Sequence, residues 1–241
     1  MMWRKSDLDL ILVPFSLLLS ILYHAWLWRK LRAHPHLTDI GTSSAIRRQW
    51  VISIMKENNK RNILAVQTIR NSIMGATLMA STSILLCTGL AAILSSTYSV
   101  KQPVGDAVYG AHGPLMLALK YAIILVFFLF AFFAYSLSIH FFNQVSFIVN
   151  VVGDGESSIA VTPEYVSEQL EKGFMLGIVG NRILYTGLLH LLWMFGPVLV
   201  FLCSIVMVPV LYSFDINVGG EEEIRVRVCG KEEQDGGKDI V

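Results

Sequence analysis

Apolar residues run in four long blocks, at 8–28, 72–94, 115–140 and 184–211, and polar residues return between them. Each block reaches or exceeds the roughly 20 residues an α-helix needs to cross a hydrocarbon core about 30 Å thick. Long apolar runs in lipid must close their own backbone hydrogen bonds, which a helix does within one segment. The pattern therefore predicts an all-α integral membrane bundle of four transmembrane helices over residues 1–214, with a polar tail over 215–241. Residues 141–152 stay apolar beyond the third block, so its helix should overrun the membrane.

The connections carry their own periodicity. Ile46, Trp50, Val51, Ile54 and Met55 recur at helical spacing, while Arg47, Arg48, Gln49, Ser53 and Lys56 fill the other face. Such a basic amphipathic helix either lies in the membrane interface or packs on the end of its own bundle. In the third connection, Thr162-Pro163-Glu164 is a helix start: a capping hydroxyl, a proline suited to the first turn and an acid that complements the dipole. Tyr165, Val166, Gln169, Leu170 and Phe174 follow on one face. Gly153-Asp154-Gly155 on one side and Gly173, Gly177 and Gly180 on the other read as turns or breaks around this second amphipathic helix. Within the fourth block, Pro197 deprives the Trp193 carbonyl of its helical donor, which predicts a kink at Gly196-Pro197. Ser72, Ala76 and Ala80 form a small-residue ridge that lets another helix approach closely. The expected neighbour is another span of the chain, with a homo-oligomer as the alternative.

Charge gives the bundle a direction. Between Arg29 and Arg70 lie nine Lys or Arg and only two acids, Asp39 and Glu57. Basic loops near span ends favour the cytosol. The first connection is then cytosolic, the N-terminus exoplasmic, and after four spans the tail is exoplasmic as well. That tail carries Glu221, Glu222, Glu223, Glu232, Glu233, Asp235 and Asp239 among paired glycines and reads as disordered. The first block is too long for a signal-peptide core and leads into Trp28-Arg29, so it is expected to remain as a span. A plasma membrane or endomembrane location follows. The lipid bilayer is the first partner, and anionic headgroups are nearer to the basic loop than nucleic acid is. Arg47, Arg48, Trp50 and Lys56 are the lipid-interface candidates. Cys87 and Cys203 within apolar blocks, with Cys229 in the tail, make no disulfide framework.

Polar residues inside spans are costly and face the bundle interior, so each is a candidate functional position. His24 lies near the end of the first block and His140 at the end of the third, with Asn143 just beyond. Arg70 and Asn71 enter the second block, and Arg182, Tyr185 and His190 the fourth. Alternating span directions bring all of them to one side of the membrane. There they line a polar mouth, or they reach headgroups and water as ordinary interfacial residues. Three imidazoles meeting there would suit a first-row metal, haem or a proton shuttle. Lys120, near the opposite interface, is expected to snorkel. The chain holds no phosphate-binding glycine loop, paired catalytic carboxylates or nucleophile elbow, and no cofactor is expected.

Four strings carry a family resemblance: Gln67-Thr68-Ile69-Arg70-Asn71, Phe141-Phe142-Asn143-Gln144-Val145, Arg182-Ile183-Leu184-Tyr185 and Trp193-Met194-Phe195-Gly196-Pro197. The chain resembles, from about residue 8 to about residue 215, the plant and bacterial membrane proteins grouped as domain of unknown function five-ninety-nine. The resemblance implies a multi-span membrane protein and supplies no activity, ligand or catalytic residue.

The sequence thus favours a non-enzymatic membrane-organising or lipid-interacting protein. Two other classes stand beside it: an oligomeric transporter or channel for a small solute or ion, and a metal- or haem-dependent membrane enzyme using the mouth histidines.

Overall fold

A computed structural model describes residues 5–56, 62–99, 114–153 and 161–217. Six helices follow in order: α1 (Lys5–Ala33), α2 (Asp39–Lys56), α3 (Asn62–Ser99), α4 (Pro114–Gly153), α5 (Pro163–Leu191) and α6 (Pro197–Asp215). Five of them, all except α2, are long and apolar enough to cross a bilayer, where the sequence pattern predicts four. The chain is an integral membrane protein.

The extra span comes from the fourth block, which breaks instead of kinking. Gly196 adopts φ 153° and ψ 153°, a conformation closed to side chains with a Cβ, and Pro197 then opens α6 at its first turn. A 3-10 turn over Leu192–Met194 tightens the end of α5 before the break. The chain reverses there: Arg182 of α5 pairs with Asp215 at the far end of α6, and Leu192 faces the same groove as Leu202. Helix α5 begins where Thr162 predicts, with the Tyr165 amide donating to Thr162 Oγ1 at 3.4 Å. Gly173, Gly177 and Gly180 do not break it. They lie inside one continuous helix that supplies both the second amphipathic segment and a span.

Those glycines are notches. A Cβ at Gly173 would lie 2.8 Å from Phe142, one at Gly180 3.0 Å from Tyr135, and one at Gly187 3.0 Å from Phe128. Glycines seven residues apart on α5 thus receive aromatic rings seven residues apart on the antiparallel α4. A seven-residue repeat keeps one face of each helix toward the other along a shallow left-handed crossing. Helix α3 covers the other flank of α4, and Ala80 of the small-residue ridge sits in their shared core with Ile124, Phe128 and Ala131.

Helices α3 and α4, of 38 and 40 residues, are about 57 and 60 Å long at 1.5 Å per residue, near twice the hydrocarbon thickness. Their surplus gathers at one end with α2 and the start of α5, where Val51, Ile54, Ile69, Phe142, Val145 and Leu170 form a separate core. The apolar stripe of α2 from Trp50 to Met55 therefore packs on the end of the bundle, while Ile46 stays exposed.

Helices α1 and α6 run parallel. Phe15 meets Phe201 at 5.9 Å between ring centroids, and Trp26 stacks on Tyr212 at 5.7 Å. Beyond α6, the Asn217 amide donates to the Leu37 carbonyl at 3.1 Å. The end of α6 therefore lies at the α2 end of the bundle, where a fourth span running through to residue 211 would have put it at the other end. Residues 218–241 of the acidic tail, and the disorder expected for them, lie outside the described residues.

Candidate functional site: a polar seam between α1, α5 and α6

Three positions seven residues apart on α1, Asp9, Ser16 and Tyr23, point into the protein and are buried. At 1.5 Å per residue they are spaced by about 10.5 Å along the membrane normal of an upright helix, so the set covers most of the hydrocarbon thickness. Each meets a polar partner from another span. Asp9 accepts from Lys120 Nζ at 3.2 Å and from Trp193 Nε1 at 2.8 Å, and the ammonium also lies 5.2 Å from the Trp193 ring. Ser16 donates to the Val13 carbonyl at 2.7 Å and lies 3.5 Å from His190 Nε2. Tyr23 donates to Asp215 Oδ2 at 2.5 Å, and the other oxygen of that carboxylate takes Arg182 Nη2. Charges in lipid persist when they are paired and hydrogen-bonded in this way.

Between the second and third levels lies a cavity of about 30 Å³, bordered by His24, Arg182, Tyr185, Thr186, His190 and Ser204 among others. Space for one water-sized group takes roughly 10–15 Å³, so this cavity accepts about two such groups. Its two histidines are anchored alike. His24 Nδ1 lies 2.7 Å from the Ser20 carbonyl and His190 Nδ1 2.7 Å from the Thr186 carbonyl, each one turn back on its own helix. A carbonyl has no hydrogen to give, so Nδ1 carries it in both rings, and Nε2 of the uncharged ring is a lone-pair acceptor. His24 Nε2 and Arg182 Nη1 are buried and find no hydrogen-bond partner among the described residues. An unmet acceptor and an unmet donor thus border one cavity.

The cavity adjoins a larger groove on the lipid side of α5 and α6. About 490 Å³ in volume, it is lined by Leu188, Leu192, Leu202, Cys203, Val206 and Val210. Tyr185, Leu189 and Met207 border both spaces.

Of the mouth candidates, the fold brings His24, Arg182, Tyr185 and His190 together. Arg70, Asn71, His140 and Asn143 reach the same end but are exposed on α3 and α4, away from the cavity. His140 only edges the ring of Phe141, at 5.7 Å. The three imidazoles therefore do not converge, and among the described residues no group of three or more His, Cys, Asp or Glu is arranged to hold a metal ion. Among the lipid-interface candidates, Arg48 and Lys56 are exposed and Trp50 is half-buried. Arg47 is engaged by Glu171 at 3.0 Å and covers the Phe174 ring at 4.4 Å. Lys120 is buried against Asp9 and does not snorkel. Asp9, Ser16, Tyr23, Trp193 and Asp215 are members of the seam that sequence reasoning passed over. The seven-residue recurrence of Asp9, Ser16 and Tyr23 was the signal available for three of them.

A family model described as "Protein of unknown function, DUF599" matches residues 11–219. No curated protein and no solved structure matches the chain. The match takes in most of the chain, and the protein belongs to that family.

Proposed function

We propose that this member of the DUF599 family is a non-enzymatic, lipid-interacting membrane protein that holds a membrane amphiphile between α1, α5 and α6. The observation that carries the reading is that Tyr185, Leu189 and Met207 line both a small polar cavity and a large apolar groove. A chain in the groove would present its polar end to His24 and Arg182. The groove volume falls within the roughly 300–1,000 Å³ typical of small-molecule pockets. Photolabelling with a membrane-soluble hydrocarbon probe is the test. Labelling should concentrate on Leu188, Leu202 and Val206 over other lipid-facing residues such as Leu85 and Phe130. Uniform labelling of all lipid-facing residues would remove the reading.

The basic end supports a second contact with lipid. Arg29, Arg32, Arg48, Lys56 and Arg70 are exposed there, and each basic residue near an anionic surface contributes about 1 kcal/mol. The same charges favour a cytosolic position for α2 and, with five spans, for the end of α6, which leaves the N-terminus exoplasmic.

Transport of a proton or small ion is the other reading with an observation behind it, namely the buried polar levels at Asp9, Ser16 and Tyr23 across the membrane. Proteoliposomes containing a pH-sensitive dye test it. Acidification that depends on the protein and falls in His190→Phe would favour transport over lipid binding; no flux would dismiss it.

A further inference from the structure

The groups bordering the cavity restrict the kind of head a ligand could place there. Resting on the lipid-binding reading, we infer that the ligand is a single long hydrocarbon chain ending in a hydroxyl. Three observations select it. The cavity is small, about 30 Å³, which favours a compact head group. Arg182 Nη1 is a buried donor without an acceptor, and His24 Nε2, with Nδ1–H given to the Ser20 carbonyl, is a buried acceptor without a donor. Of small head groups, a hydroxyl offers both complements, an oxygen to accept from Arg182 and a hydrogen to donate to His24.

Charge points the same way. Arg182 is already paired with Asp215, and that carboxylate also accepts from Tyr23. A carboxylate ligand would bring a second anion beside Asp215 and leave His24 Nε2 facing a group with no hydrogen to offer. An apolar terminus would leave both polar atoms unmet, and buried unmet polar atoms are costly. The rest of the ligand follows from the groove, whose lining among Leu188, Leu192, Leu202, Val206 and Val210 is apolar throughout. Tyr185 stands at the junction of the two spaces.

The experiment uses the full chain in phosphatidylcholine nanodiscs and a hexadecanol carrying a mid-chain diazirine, with cross-linked residues mapped by mass spectrometry. Unlabelled hexadecanol, palmitate and hexadecane compete at equal mole fraction. The expected result is labelling at Leu188, Leu202 or Val206, displaced about tenfold better by hexadecanol than by either competitor, as one satisfied pair of buried polar atoms would give. In His24→Phe the advantage over hexadecane should shrink several-fold. The competition in the wild-type chain decides the head chemistry, so the result does not depend on the variant folding. Equal or better displacement by palmitate overturns the hydroxyl head and leaves the lipid site standing. Absence of labelling in the groove, or labelling that persists in Leu202→Trp, overturns the site and the hydroxyl together.

Discussion

Tyr135 lies against Gly180 so closely that a Cβ there would meet its ring carbons at 3.0 Å, while its hydroxyl donates to Asn181 at 2.6 Å. One aromatic side chain on α4 thus uses both the missing side chain of one residue and the amide of the next. Gly173 with Phe142 and Gly187 with Phe128 repeat the close approach above and below. In lipid, where helices gain little from excluding water, close packing at small residues is a main source of association.

Gly180→Val should therefore separate α4 from α5. Overpacking a closed site costs about 1–3 kcal/mol, and the ring cannot swing aside without giving up Asn181. Gly75→Ala on α3 is the control, since a Cβ there meets nothing within 4 Å. Thermal unfolding of the purified protein in detergent checks both. A Gly180→Val protein as stable as wild type would show that the notch is not holding the pair.

Neutralising the exposed basic end should weaken the hold on anionic lipid without disturbing the fold. Arg48 and Lys56 face outward, unlike Arg47, which is bound to Glu171. Replacing both by Gln should cost about 2 kcal/mol of attraction to a phosphatidylserine surface at low salt, less as salt is added. Retention of phosphatidylserine against phosphatidylcholine in native mass spectrometry measures it. Unchanged selectivity would move the contact to other residues.

Much of this arrangement was legible in the chain. The first three blocks became α1, α3 and α4, and the amphipathic stripe around Trp50 became α2. The fourth block misled because α5 combines a packing face with a moderately polar one, so its first half reads as a surface helix. Glycines deepen the ambiguity: they weaken a water-exposed helix but serve as notches between spans. The candidate site was half legible for a related reason. Sequence position gives depth in the membrane but not the direction around the helix. His140 sits two residues from both Ser138 and Phe142, which are buried, and about 100° per residue turns it to the opposite side. Asp215 was assigned to the acidic tail, because nothing before the break at Gly196 suggested a sixth helix returning to Arg182.

The count of spans has a direct test. In a background with Cys87, Cys203 and Cys229 replaced by Ser, Arg48→Cys and Asn217→Cys should react with an impermeant maleimide from the same side of sealed vesicles. The hydrogen bond from Asn217 to Leu37 and the five membrane-length helices both require it. Labelling from opposite sides would restore four spans and undo the α5–α6 reversal.

The Asp9–Lys120 pair offers a sharper reading of the seam. Both side chains are at most 5% exposed, at 3.2 Å from one another, and Trp193 supplies a further donor to the carboxylate. Removing Asp9 takes this carboxylate from the buried Lys120 ammonium, and removing Lys120 takes a cation from beside the Asp9 carboxylate; breaking a buried pair from one side typically costs about 3–5 kcal/mol. Removing both charges while keeping the shape is far less damaging, because desolvation of the ions disappears along with their attraction. Asp9→Asn and Lys120→Met should thus each lower thermal stability strongly. The double variant should regain most of the loss, since the amide oxygen that replaces the carboxylate can still accept from Trp193. Additive losses in the double variant would mean that the two residues act independently and that the ion pair is not what joins α1 to α4.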